Sequence, residues 1–332
     1  MNSFGSRFRV SLFGTSHGPV VGVVIDGVPA GMPLDVSDFA VDLGRRRGGA
    51  RGTTARVEED DMRFASGVHG GYTTGGPLCI EVVNAAQRGG DYRDFATWPR
   101  PGHADYPAGV KWGGYADLRG GGMFSGRMTV GLVCAGVVAK RLLDCVWDGV
   151  RIAAGVVEVG GQRDYFELLD EVLRSGDSLG GVVACRIEGL GVGVGAPFFG
   201  SLESRLASML FSIPGVKGVE FGAGFRGAAM LGSDFNDRLL DASGAMSSNN
   251  SGGINGGLSN GMPVDLRVAF RPTASIARSQ SSFDFSLGRP DTVRVGGRHD
   301  ACFALRTPVV VEAACALVLA DFAPSLDCIR SV

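Results

Sequence analysis

The chain has 332 residues, 45 % of them apolar and 20 % charged, enough apolar material for a sizeable buried core. Its 54 glycines follow no Gly-X-Y period, which excludes collagen and points to a backbone that turns tightly and approaches something closely. The net charge of −2 argues against a general nucleic-acid binder, which would be basic overall.

Residues 8–13 and 20–25 read as strands flanking a loop at residues 14–18. Residues 34–43 read as a helix, with Asp35 or Ser37 as its start signal. Arg45, Arg46, Arg47, Arg51 and Arg56 then crowd one stretch, and Glu58, Glu59, Asp60 and Asp61 follow at once. A local basic patch in a neutral chain suits a small anion better than a polyanion, the bland alternative being a solvated face. Further strands are expected at Met62–Ser66 and residues 77–83. Residues 126–145 form the clearest helix; its first half lacks a polar face and should be buried.

Beyond it, strands are expected at residues 150–157, 182–187, 216–221, 264–270 and 292–295. Helices are expected at residues 165–174, 202–211 and 308–322. Strands and helices alternate with no Pro/Ser-rich linker, so one mixed α/β (α+β) domain over residues 1–332 is favoured. Two glycine-rich loops, at residues 119–122 and 247–261, are long enough to suggest function.

Seven cysteines, an odd count without a Cys-x-x-Cys pair, sit mostly in apolar runs and are expected to be reduced thiols. The N-terminus shows no secretory h-region, and the longest apolar stretch, residues 130–139, is too short to span a bilayer. A cytoplasmic enzyme is expected, with neither membrane nor nucleic acid as partner.

Three patterns are set aside. Residues 189–195, Gly-Leu-Gly-Val-Gly-Val-Gly, imitate a dinucleotide fingerprint, but position 196 is Ala and no acidic ribose partner follows. Only this run supports an NAD-dependent oxidoreductase. Four histidines without His-x-x-x-His or spaced cysteines leave no metal site. A Ser16, His103, Asp300 hydrolase lacks a Gly-x-Ser-x-Gly elbow.

Three histidine-centred loops remain: Ser16-His17-Gly18, Gly102-His103-Ala104-Asp105 and Arg298-His299-Asp300. Each pairs a histidine with glycine or a charged neighbour, and they are expected to converge on one active site. His69, beside two glycines and no charge, is read as structural.

These segments resemble the chorismate synthase family. The matching pieces are Phe8-Arg9-Val10 with Phe13-Gly14-Thr15-Ser16-His17-Gly18, Val24-Ile25-Asp26-Gly27-Val28-Pro29-Ala30-Gly31, and Arg45-Arg46-Arg47. Gln87-Arg88 with Asp91-Tyr92, residues 100–106, residues 119–122 and Ser212-Ile213-Pro214-Gly215-Val216-Lys217-Gly218 follow. Residues 248–257, Arg271-Pro272-Thr273-Ala274-Ser275, Arg298-His299-Asp300 and residues 308–321 complete the set. They run in family order over nearly the whole chain.

The resemblance implies a β-α-β sandwich assembled as a homotetramer. It implies anti 1,4-elimination of phosphate from 5-enolpyruvylshikimate 3-phosphate to give chorismate, in the shikimate route to aromatic amino acids. Reduced FMN is required without net redox change, because it lends electron density that side chains cannot. With no added reductase domain, an external flavin reductant is expected, NADPH serving at most indirectly.

A substrate with two carboxylates and a phosphate needs several guanidinium forks, for which Arg46, Arg51, Arg127 and Arg298 are candidates, with Ser16 beside them. His17 is expected to protonate the leaving phosphate, His103 to stabilise or protonate the flavin, and Asp300 to assist proton removal from the ring. The resemblance places flavin contacts at Ser125, Gly215, Gly256, Arg271, Pro272, Thr273, Ala274, Ser275 and Arg298.

One stretch departs from the family. Where relatives usually read Arg-Ser-Ser-Ala-Arg-Glu-Thr, this chain has Met123-Phe124-Ser125-Gly126-Arg127-Met128-Thr129. The change keeps a second reading in view, a ligand-binding relative with impaired turnover; retention of His17, His103 and Asp300 weighs against it.

Overall fold

The computed structural model describes residues 2–55, 59–84, 95–297 and 299–329. Alternating apolar residues near the N-terminus make β1 (Ser3–Phe4), β2 (Arg9–Gly14) and β3 (Val20–Asp26). Asp35 accepts the Ser37 N–H at 2.9 Å, caps a single 3-10 turn and so leads into α1 (Ala40–Arg46). β4 (Met62–Ser66), the small hairpin β5 (Val68–His69) and β6 (Tyr72–Thr73), and β7 (Leu78–Val83) follow. The strands β1-β2-β3-β7-β4 form one antiparallel sheet in that order. Helices α2 (Asp105–Lys111) and α3 (Thr129–Val146) end this half.

The second half opens with β8 (Arg151–Val159), α4 (Phe166–Ser175), β9 (Gly181–Glu188), α5 (Leu202–Ser212), β10 (Val216–Phe221) and α6 (Gly232–Phe235). It continues through the hairpin β11 (Ile254–Asn255) and β12 (Leu258–Ser259), β13 (Val264–Phe270), the hairpin β14 (Gln280–Asp284) and β15 (Arg289–Val293), and α7 (Pro308–Phe322). Its main sheet is antiparallel in the order β10-β13-β9-β8.

Helices α3 and α7 pack on each other between the sheets, α3 against β3 and β7, α7 against β8 and β9. That is the β-α-β sandwich expected, mixed α/β with antiparallel sheets. Each central helix has a sheet on one side and a helix on the other, which is why neither needs a polar face. Close approach depends on small residues. A Cβ on Gly136 of α3 would overlap Ala313 of α7, and one on Gly131 would come within 2.8 Å of Leu12 and 3.1 Å of the Gly22 carbonyl on β3.

A charge is buried in the middle of this layer. Glu312 of α7 is 3 % exposed. It accepts both Arg45 nitrogens at 2.6 and 2.7 Å, the Ala154 N–H at 2.9 Å and Lys140 at 3.3 Å, tying α1, α3, α7 and β8 together. Burial pushes its carboxyl upward, but Arg45, the Ala154 N–H and Lys140 outweigh that and hold it below the ordinary 4.5.

The expected strand at residues 292–295 lies instead at Arg289–Val293, paired with Gln280–Asp284. β14, α2 and the two-residue hairpin strands were not expected. They are too short to show a period, and α2, reading Asp-Tyr-Pro-Ala-Gly-Val-Lys, carries a Pro and a Gly that look like loop chemistry.

Two stability predictions follow from the helical layer. Gly136→Val should overpack the α3–α7 contact and lower stability by about 1–3 kcal/mol, read as a lower urea midpoint at unchanged slope. For Glu312, whose folded pKa is depressed, the contribution is complete above the unfolded value and is lost as pH falls through the folded one. Urea midpoints taken from neutral pH down through the carboxylate range should therefore fall, and Glu312→Gln should flatten that dependence.

Candidate active site

The loop between β2 and β3 turns at Gly14, whose φ of +89° a side chain would make untenable against the Val20 carbonyl. Asn84, just after β7, pins the loop by donating to the Thr15 and Gly18 carbonyls at 3.0 and 2.8 Å. Ser16 and His17 are thereby buried, with Ser16 Oγ 3.0 Å from His17 Nδ1 and 3.0 Å from each of the Arg119 and Gly120 carbonyls. Gly120, Gly121 and Gly122 all have positive φ. A Cβ on Gly120 would overlap the His17 ring, and one on Gly121 would stand 3.3 Å from His103 Nε2. This bare backbone therefore separates the two histidines.

On the other side of it, Arg100 and His103 both reach Asp105, the first residue of α2. Arg100 donates from Nε to Oδ2 and from Nη2 to Oδ1, each at 2.8 Å, and its backbone N–H adds a third bond at 3.1 Å. His103 Nδ1 lies 2.6 Å from the same Oδ1. Arg100 also donates to Ser275 Oγ at 3.1 Å, and Arg271 donates to the Gly102 carbonyl, so the segment from 271 to 275 is fastened to the His103 turn.

A second set of charges comes from the ends of other elements. Arg46, the last residue of α1, donates to Asp60 at 2.8 and 3.0 Å. Arg127, just before α3, donates to the same carboxylate and to Asn84 Oδ1 at 2.9 Å. Desolvation pulls Arg46 below the usual guanidinium range, against the nearby Asp60 charge; burial acts upward on Asp60, but Arg46 and Arg127 hold it low. Asp300 accepts the Thr54 N–H and two Arg306 nitrogens, all at 2.9 Å, with Arg306 just before α7. Both central helices thus begin at this place, where their N-termini favour negative charge.

The groups surround a cavity of about 220 Å³. Arg46, Arg47, Arg100, Arg127 and Arg306 line it together with His103, His299, Asp300, Ser125 and residues 273–275. Five guanidinium groups face three paired carboxylates, Asp60, Asp105 and Asp300, so the described part of the wall is net positive. A neighbouring cavity of about 500 Å³ shares His103, Phe124, Thr273, Ala274, Asp300 and Arg306, and extends over Gly215, Lys217, Arg271, Phe211 and Phe303. Among the described residues, three polar atoms at these walls are buried without a partner, Arg46 Nε, Arg47 Nε and Thr273 Oγ1, as expected where a ligand supplies the missing bond.

Most expected residues meet here, and some do not. Arg46, His103, Ser125, Arg127, Thr273, Ala274, Ser275 and Asp300 line the smaller cavity; Gly215, Arg271 and Pro272 line the larger. Ser16 and His17 lie directly behind Gly120 and line neither cavity. Arg51 does not join them. Its neighbour Gly52 is wedged against Leu169 and Leu305, which carries the Arg51 side chain out over α4, paired with Asp170 and 5.4 Å from the Phe166 ring centre. Gly256 turns the β11–β12 hairpin and lines neither cavity. Arg298, Arg56, Glu58 and the 87–92 motif lie outside the described residues. His299 bonds the Gly296 carbonyl at 2.9 Å, and burial pushes its pKa down.

Arg306, Asp60 and Asn84 were missed. A lone arginine between Leu305 and Thr307, just ahead of an apolar helix, was the available sign for Arg306; nothing local marks the other two. Among the described residues no group of three or more His, Cys, Asp or Glu is arranged to hold a metal, and no helix is long and apolar enough to cross a membrane.

The family model for chorismate synthase matches residues 8–323. A chorismate synthase of Chitinophaga pinensis is 50 % identical over 322 residues, covering 97 % of this chain and 96 % of its own length. One from Korarchaeum cryptofilum is 41 % identical over 349 residues, covering 96 % of each. A crystal structure of chorismate synthase superposes with a TM-score of 0.73 at 27 % identity, covering 96 % of this chain and 92 % of that one. The chain belongs to the chorismate synthase family.

Proposed function

We propose that the arginine-lined cavity is where this chain carries out the reaction of its family, the anti 1,4-elimination of phosphate from 5-enolpyruvylshikimate 3-phosphate to give chorismate. The observation that carries this reading is the ring of five arginines around a small cavity that also holds His103 and Asp300. Two carboxylates and a phosphate demand that kind of lining, since guanidinium forks bind such groups bidentately.

The larger cavity fits reduced FMN. Its volume of about 500 Å³ lies within the usual range for ligand pockets, and Phe124, Phe211 and Phe303 offer apolar faces beside the cations Lys217 and Arg271. Thr273 Oγ1 is buried and lacks a partner, as a residue awaiting a polar ring edge would. Ser125, Gly215, residues 271–275 and Arg298 would hold the cofactor. When bound, it supplies transient electron density to the substrate while ending the cycle unchanged. Gly256 would act only if its hairpin reached a neighbouring copy, in line with the homotetramer we propose. Reduced flavin would come from an external reductant, and a cytoplasmic location suits that supply.

The chain's own residues divide the remaining work. Arg46 and Arg127, fixed by Asp60, hold the anionic groups and oppose the charge that grows as phosphate departs. His103, at the border of the two cavities, holds a proton on the flavin side. His17 is the phosphate-side acid. Only the backbone of Gly120, without a side chain, stands between its ring and the cavity. Asp300 uses three of roughly four lone-pair directions on Thr54 and Arg306, so its carboxylate is held in place to orient the reacting groups.

The full chain, assayed anaerobically with substrate and photoreduced FMN, should form chorismate, whereas NADPH and oxidised FMN alone should give none. Flavin and substrate binding without turnover would instead favour the impaired relative. His17→Ala should lose about 10²-fold or more in kcat while still perturbing the flavin spectrum, and near-normal turnover would refute its acid role. Asp300→Asn should slow the single-turnover rate; an unchanged rate would count against its orienting role.

A further inference from the structure

We infer that Asp105 is a positioning residue that sets the tautomer of His103, in an Arg100–Asp105–His103 relay; this rests on the reading of His103 as the flavin-side acid. A donor and an acceptor compete for one ring nitrogen. Arg100 Nη2 lies 3.0 Å from His103 Nδ1, and Asp105 Oδ1 lies 2.6 Å from that same nitrogen. Were Nδ1 a bare lone pair accepting from Arg100, it would face a carboxylate oxygen at 2.6 Å, acceptor against acceptor. Nδ1 must therefore carry the hydrogen and donate it to Oδ1, with Arg100 donating to Oδ1 beside it.

That leaves Nε2 as the working nitrogen. It is the atom closest to where a Cβ on Gly121 would stand, on the side of the three-glycine backbone, and His103 lines both cavities. Asp105 itself is a poor proton acceptor. It is 2 % exposed and takes three bonds from Arg100, whose charge and hydrogen bonds, with His103, overcome burial and hold it well below the carboxylate range. It keeps its negative charge and so stabilises the imidazolium formed when Nε2 gains a proton, without taking the proton itself. Among the described residues, Arg46, Arg47, Arg127, His299, Asp300 and Arg306 line the same cavity.

The chain has four histidines, so long-range proton–nitrogen spectra of the ¹⁵N-labelled full-length protein can be assigned with single His→Gln variants. In the unsubstituted protein, neutral His103 should show the Nδ1–H tautomer; an Nε2–H tautomer there overturns the inference whatever the variants do. Asp105→Asn should present its oxygen to Arg100 and its NH₂ to His103, switching the ring to Nε2–H and lowering kcat by about 10²–10⁴-fold with little change in KM. Asp105→Glu should restore both the Nδ1–H signature and part of the rate. An Asp105→Asn protein that keeps the Nδ1–H tautomer overturns the relay, whether or not its rate falls. Failure of the underlying reading looks different: His103→Ala would then turn over normally, irrespective of the tautomer.

Discussion

A guanidinium taken out of water must find a fixed negative charge, and the architecture around this site follows from that need. Arg46 and Arg127 share Asp60, Arg100 lies on Asp105, and Arg306 lies on Asp300. Each carboxylate stands at or behind the cavity wall, so the arginines keep defined positions while the described wall remains net positive. A site for a polyanionic substrate has to be rigid before the substrate arrives, because flexible cations would lose much of their binding energy to ordering. The carboxylates supply that rigidity and limit the mutual repulsion of the cations.

The same need explains where the site sits. Arg46 ends α1, Arg127 precedes α3, and Arg306 precedes α7. The two central helices are apolar throughout much of their length and pack on each other through Gly136 and Ala313, and the arginines of the site stand just ahead of their first turns. Packing the layer therefore gathers the ends, and with them the arginines and helix N-termini, at one edge. Glu312, buried inside the layer, is tied to Arg45, Lys140 and the Ala154 N–H.

Between the histidines the chain uses absence of side chains. Gly120 lies against His17 and Gly121 against His103, so a single strand of backbone separates the proposed phosphate side from the flavin side. The departures at Met123 and Phe124 fall at the end of this backbone. Met123 is 43 % exposed and Phe124 lines both cavities, so the replacements change the surface offered to a flavin and leave the paired charges alone.

The sequence by itself determined the strands and helices long enough to show a period, the apolar character of α3 and α7, the family, and the histidine loops with Arg46 and Arg127. Those features are local, written in hydrophobic spacing, capping residues and contiguous motifs. Only the tertiary structure decided which of the charged residues meet. Asp60 bridges Arg46 and Arg127 across 14 and 67 positions, and Thr54 reaches Asp300 across 246. It also sent Arg51 to Asp170 although Arg46 of the same run turns inward, because the Gly52 wedge on Leu169 and Leu305 is a long-range packing event. Pairing of charges is set by the packing of whole elements, and one arginine in a run looks like the next until that packing is known.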